Sequence, residues 1–310
     1  MITLNTERGL ERIASWDDIA TISGFTPNID PKTVKLKEII GSYAFDAYIP
    51  CGLSTCHQPH GKGFLVAAVD GRVTNIGRFC GKTHFSVEFT QMSRVYLAAV
   101  RAQQNREFLG ALKNQLPTIS AEVAALKSGQ NGASWIYSRI NQLTGQTVSL
   151  PAPITNAVRQ AIRRGDGILM KERAATKQER EDRAAAVDVA GLEHLRRNVS
   201  FGVEVRMGQL DGFAAIAPGS ELRPILLAIE PFLSTLPDTD IDNLPDKQLR
   251  ELSKVGGELD ANLERLRTLV AAGRRLLVRQ NISQLAPFAT NRSETQSLEK
   301  FLRDLPQQEF

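Results

Sequence analysis

The chain has 310 residues, 42% hydrophobic and 23% charged, with a net charge of +4 at pH 7. That length suffices for two domains with a sizeable core, and the balance excludes a disordered or fibrous chain. No apolar run approaches the ~20 residues of a membrane span, and Met1–Ile19 lacks the basic-then-apolar pattern of a secretory leader. A cytoplasmic protein with no membrane partner is the expectation.

Residues 1–50 read as a lead-in with little regular structure. Ser15 is placed to cap a short helix running to Ile22, and Gly24, Pro27, Asn28, Asp30 and Pro31 give turn chemistry. Val34–Ile40 carries alternating apolar residues, and Tyr43–Ile49 reads as a strand. Gly63–Val69 and Arg72–Ile76 are β-prone, with Asp70-Gly71 between them as a two-residue type I′ hairpin turn.

Beyond Phe85 the period changes. Leu112, Leu116, Ile119, Val123 and Leu126 follow the 4-3-4-3 spacing of a helix-on-helix seam, and Pro117 inside it predicts a kink or restart. Gly129–Gly132 end that helix. Helices are expected over Ala133–Leu143 and over Ile154–Arg164, the latter stopped by Gly165. Residues 170–186 are charge-dense helix formers and read as a solvated helix or linker.

Val199, Phe201, Val203 and Val205 alternate with polar or small residues, a half-buried strand signal, with Thr147–Leu150 as its candidate partner. Glu221–Leu236 and Asp246–Gln280 read as helices, the second with Leu259, Leu263, Leu266 and Val270 on one seam and Gly256-Gly257 as a candidate interruption. Ser293 and Gln296 have capping-box spacing. The predicted class is α+β, mostly α: a zinc-bound β-hairpin module (1–86), a helical region (87–198) and a C-terminal helical region (199–310), with coiled-coil-like packing among the long helices.

The chemistry concentrates between Cys51 and Phe85. This stretch holds all three cysteines (Cys51, Cys56, Cys80) and three of the four histidines (His57, His60, His84). Clustered Cys and His in a chain without an export signal point to a metal rather than a disulfide framework. Zinc takes four nitrogen or sulfur ligands in a tetrahedron. Cys51 and Cys56 flank a tight turn, the hairpin follows, and Cys80 and His84 are four apart, on one side of a helix start. The expected ligands are Cys51, Cys56, Cys80 and His84, with His60 as the alternative fourth.

This knuckle, hairpin and helix order over Ile49–Phe85, with NIGRFCG entering the helix, resembles a treble-clef zinc fold, although its first pair is C-x4-C rather than C-x2-C. The CxxxxCHxxH…NIGxxCG block also resembles bacterial or phage-type proteins, a resemblance that brings no activity with it. His60, Asn75 and His84 in turn resemble the His-Asn-His set of HNH nucleases. That resemblance implies His60 as general base, Asn75 as its orienter and His84 as ligand to a divalent metal. Against it stand the tight hairpin and Pro59, which leaves no metal-binding residue directly before His60.

Other signals are weaker. His194 reads as a helix-surface residue, and Arg163-Arg164, Arg196-Arg197 and Arg274-Arg275 as solvated helix faces. Lys62, Arg72, Arg78 and Lys82 surround the metal stretch and form the best nucleic-acid footprint in the chain. Two functions follow: a non-enzymatic, zinc-stabilised binding or scaffolding protein that contacts nucleic acid or another protein while its helices scaffold or self-associate, or an HNH-like metal-dependent nuclease.

Overall fold

A computed structural model describes residues 2–6, 9–13, 15–147, 150–189, 202–220 and 222–307. The protein is α+β and mostly α. It divides into two compact units, Met1–Asn114 with Thr239–Gly256, and Gln115–Asp238 with Gly257–Phe310.

The first unit is built on a five-stranded antiparallel sheet in the order β2-β1-β3-β4-β5. Its strands are β1 (Ile2–Thr6), β2 (Gly9–Ile13), β3 (Leu36–Pro50), β4 (Pro59–Ala68) and β5 (Val73–Gly77), with the short helix α1 (Asp17–Ala20) between β2 and β3. The 1–50 segment is therefore not an irregular lead-in. It carries three strands, two of them only five residues long. Strands that short show little periodicity of their own. β1 is set by ladder bonds to β3, in which Ile2 pairs with Tyr43 and Leu4 with Gly41, and β2 by its own ladder to β1.

The β4–β5 hairpin forms with Phe64 opposite Ile76 and Leu65 opposite Asn75, but its loop is longer than a two-residue turn. The Ala68 N–H donates to the Arg72 carbonyl at 2.8 Å, leaving Val69, Asp70 and Gly71 between them. A type I′ turn needs positive φ at both central residues, and of these loop residues only Gly71 has it, at 85°. Asp70 instead accepts the Arg72 N–H and clamps its guanidinium.

Alternate residues of β4 feed two cores. Phe64 and Val66 face one with Leu36, Ile39, Leu53, Ile76, Phe89, Tyr96 and Val100. Leu65 faces the other with Leu4, Ile19, Tyr43 and Ile49, edged by Trp16, Phe25 and Phe45. With apolar cover on both faces, β4 reads as a continuous apolar run rather than an alternating one.

After β5 the chain enters α2 (Arg78–Ser128). The backbone stays helical through Pro117, so the expected restart there does not occur. Leu112, Leu116, Ile119 and Val123 are all buried, and packing of that seam holds the helix across the one hydrogen bond that proline removes. The break lies at Ser86, with φ 45° and ψ −121°. Eight residues of straight helix advance about 12 Å, yet a Cβ at Gly81 would lie 2.3 Å from the Phe89 ring. The turn at Ser86 thus folds the segment carrying Cys80 back onto Phe89.

The second unit contains α3 (Ala133–Leu143), α4 (Ala152–Arg164), β6 (Ile168–Ala174), α5 (Lys177–Val189), β7 (Gly202–Gln209), α6 (Leu222–Thr235), α8 (Arg279–Ser283) and α9 (Arg292–Arg303), while α7 (Asp246–Leu276) contributes to both units. Residues 168–174 form a strand, where the composition reads as helix. They pair with β7, Ile168 opposite Gln209 and Ala174 opposite Gly202, so the partner of β7 among the described residues is β6; Val148 and Ser149 of the expected partner, and Val199 and Phe201 of the expected strand, lie outside the described residues. Gly165 (φ 76°) and Gly167 (φ 68°) end α4 and turn the chain into this ribbon, and the ladder outweighs a helix propensity worth only tenths of a kcal/mol per residue.

At the start of α5, Thr176 and Glu179 form a reciprocal capping box. The Arg173 guanidinium beside it holds the Glu179 carboxyl down to about 2. Helix α7 runs through Gly256-Gly257 without interruption, with Leu259, Leu263, Leu266 and Val270 buried. The cap of α9 is Asn291, which accepts the Glu294 N–H, rather than Ser293. Among the described residues no helix is long and apolar enough to cross a membrane.

Candidate metal centre

The loop between β3 and β4 positions the first two thiols. It is closed by the Cys51 N–H on the Gln58 carbonyl (3.1 Å) and by the Cys56 and His57 N–H groups on the Leu53 carbonyl (2.9 and 3.3 Å). It is pinned to its surroundings by the Gly52 N–H on the Asn75 carbonyl and the Ile29 N–H on the Gly52 carbonyl, both 2.8 Å. Gly52 is required by close approach, because a Cβ there would lie 2.0 Å from Thr74 Oγ1. The tight return after Cys56 puts His57 at φ 47°, a left-handed conformation that costs a non-glycine residue about 1–2 kcal/mol.

Cys80 arrives from the first turn of α2. The three sulfurs converge within 4.8 Å of one another, with Cys56 Sγ and Cys80 Sγ 3.2 Å apart. Cys51 is fully buried, whereas Cys56 and Cys80 are partly exposed.

The electrostatics of the cluster favour a cation. Burial, then the Cys56 hydrogen bond and the neighbouring thiols, push the Cys80 thiol up to about 12. Burial also raises Cys51, against backbone N–H groups of Gly77 and Leu53 that favour its thiolate. Burial acts in the same direction on Cys56, but the Gln58 N–H and the other two thiols outweigh it and leave Cys56 lowered. Three thiolates cannot share this space without a positive charge between them, and a bound cation reverses the penalty.

The donor set fits a soft or borderline metal. Zn–S bonds of about 2.3 Å place tetrahedral sulfurs about 3.8 Å apart, so a small opening of the Cys56–Cys80 pair seats the ion. Among the described residues no His, Asp or Glu joins the three thiols as a fourth donor.

The histidines lie elsewhere. His84 is exposed on α2, outside the thiol group. His57 is exposed, with Nδ1 3.2 Å from the Cys51 carbonyl. Both ring nitrogens of His60 are engaged: Nδ1 lies 3.0 Å from the Ile49 carbonyl and Nε2 2.8 Å from the Tyr43 hydroxyl. A carbonyl can only accept, so Nδ1 carries the proton and Nε2 accepts from Tyr43. Asn75 is buried and donates to the Pro50 carbonyl (2.8 Å) and to the Tyr43 oxygen (3.4 Å). His60 and Asn75 therefore meet through Tyr43, and His84 is not part of that group.

Tyr43 is the residue that motif reasoning missed. Its burial raises its pKa, and its hydroxyl joins the two polar side chains behind the thiols. Tyr43→Phe is expected to destabilise the first unit by about 1–3 kcal/mol, because partners in a buried site lose their bonds. Chemical denaturation with metal content measured in parallel checks this, and unchanged stability would remove the network from the account.

The four basic residues separate. Lys62 and Arg78 line an open groove of about 650 Å³ beside Cys80 and His60. Arg72 is committed to Asp70 at the hairpin tip, and Lys82 is exposed outside the groove lining. Of the arginine pairs, Arg274 binds the Gln130 and Asn131 carbonyls and Arg164 binds Asp166 and the Ile168 carbonyl, so these are protein contacts rather than purely solvated charges. His194 and Arg196-Arg197 lie outside the described residues.

Comparison of the chain with protein-family models, with curated proteins and with solved structures finds no match in any of the three.

Proposed function

We propose that this protein is a non-enzymatic binding protein whose first unit is held by a zinc ion on Cys51, Cys56 and Cys80, with a fourth ligand from solvent completing the tetrahedron. The observation that carries the reading is the convergence of three thiols from the β3–β4 loop and the first turn of α2 within 4.8 Å. Zinc there cross-links the β3–β4 loop to the first turn of α2, on either side of the hairpin much as in a treble clef, and leaves the outer face of the module free to contact nucleic acid or a protein partner.

The nuclease reading has less support. A general base needs a free acceptor nitrogen facing the substrate, and His60 Nε2 is taken by Tyr43. His84 stands apart as an exposed side chain.

Metal analysis of the purified full chain tests the zinc assignment. One equivalent of zinc per chain is expected, and protein that folds and purifies without metal would overturn the reading.

A further inference from the structure

We infer that the groove beside Cys80 is a binding site for single-stranded nucleic acid, with Tyr48 and Phe79 stacking on bases and Lys62 and Arg78 contacting phosphates. This names the partner class for the zinc-stabilised binding protein proposed above and rests on that reading.

The first observation is the exposure of the two rings. Tyr48 is 74% and Phe79 85% exposed, and both line the same groove. Phe79 directly precedes Cys80, so its position is tied to the thiol cluster, and Tyr48 comes from the end of β3. Large rings this exposed forgo about 25 cal/mol for each Å² of apolar surface that could be buried. A flat apolar partner recovers that energy, and a nucleobase has two such faces.

The second observation is charge. Lys62 and Arg78 are exposed and take part in no ion pair among the described residues. The groove also holds one carboxylate, Asp46, leaving a net excess of one positive charge. Volume agrees, since about 650 Å³ falls within the ~300–1,000 Å³ of sites for nucleotide-sized ligands.

The combination selects among partners. An acidic peptide answers the cations but offers no flat faces for two rings. A duplex presents phosphates but keeps its base faces stacked inside. A single strand offers both at once, and base–aromatic stacking with backbone cations is how sequence-tolerant strand binding is built.

The test uses full-length protein, with zinc measured in every sample. Fluorescence anisotropy is recorded with labelled oligo(dT), oligo(U), a mixed-sequence duplex and poly-glutamate. Single strands are expected to bind at least about tenfold more tightly than the duplex or the acidic peptide, and the ratio of the two strands names DNA or RNA as the source. Tyr48→Ala and Phe79→Ala should each weaken binding by about tenfold or more, while Tyr48→Phe, which keeps the ring, should not. Lys62→Ala and Arg78→Ala should each reduce the logarithmic salt slope by about 0.7.

Zinc-replete wild type that binds no strand, or binds duplex or poly-glutamate equally well, overturns the groove assignment and leaves the zinc reading intact. So does strand binding that survives both aromatic-to-alanine changes. Protein that lacks zinc yet binds strands with the predicted losses supports the groove and overturns the zinc reading instead.

Discussion

Cys80→Ser is expected to abolish stoichiometric zinc binding and to lower the melting temperature of the first unit by on the order of 10–20 °C. The substitution removes the only thiol that α2 contributes, so the ion can no longer join the helix to the β3–β4 loop. Zinc at a thousandfold excess over its dissociation constant stabilises the folded state by about 4 kcal/mol, and each kcal/mol is worth several degrees in a domain of this size. Cys56→Ser should act alike. Cys51→Ser should do worse, because it also places a hydroxyl at a site with no exposure.

His84→Ala is the internal control. Its side chain is exposed and outside the thiol group, so zinc content and melting should match wild type. Since binding displaces thiol protons, zinc retention falls as pH is lowered. The measurement is calorimetry with and without chelator, alongside metal analysis. Cys80→Ser protein that keeps one zinc and melts with wild type would sink the account.

Phe89→Ala should destabilise the first unit by about 3–5 kcal/mol, the usual cost of emptying a well-packed aromatic site. Phe89 is 1% exposed and meets Phe64 edge-on at 5.6 Å, while Phe64 meets Tyr96 in the same way at 6.3 Å. Its ring also supports Gly81, one residue beyond Cys80. The cavity therefore opens beneath the turn that carries Cys80, and more frequent opening of that turn should weaken zinc retention in chelator competition. Phe89→Leu, which refills most of the volume, should recover most of both losses. Denaturant titration with an unchanged midpoint for Phe89→Ala would show that the ring does not support this core.

The two perturbations test different links in one chain. The sheet and α2 make an apolar core that includes Cys51, with Cys56 and Cys80 packed against it, and a metal on the three thiols would tie the β3–β4 loop to α2 across that core. A protein in which Phe89→Ala unfolds the unit while Cys80→Ser only loosens the loop would place the stability in the apolar packing. The reverse order of effects would place it in the metal.

Much of this was legible in the chain. The thiol cluster, the β4–β5 hairpin, the stop at Gly129–Gly132 and the helix over Ala133–Leu143 rest on signals spread over a few residues. The misses share a cause. Strands β1 and β2 are too short to carry a period, and the helix-forming 170–174 segment becomes a strand because β7 pairs with it. Pro117 was the visible breaker, but a buried seam holds the helix through it, and the break falls at Ser86, an ordinary residue by composition.

What the amino-acid sequence determined by itself is the inventory of the site: three thiols that could hold a metal ion, their spacing around a hairpin, and an α+β frame with long helices. Those are local properties, set by residue type and by intervals of two to seven positions. Only the tertiary structure decided which polar groups were already used. His60 and Asn75 look free in sequence, yet a tyrosine from β3 occupies both, seventeen and thirty-two residues away along the chain. Tertiary folding also brought Tyr48 and Phe79 into one groove with Lys62 and Arg78. Pairing across a sheet and the turn at Ser86 bring together residues separated along the chain, and no local pattern encodes which ones will meet.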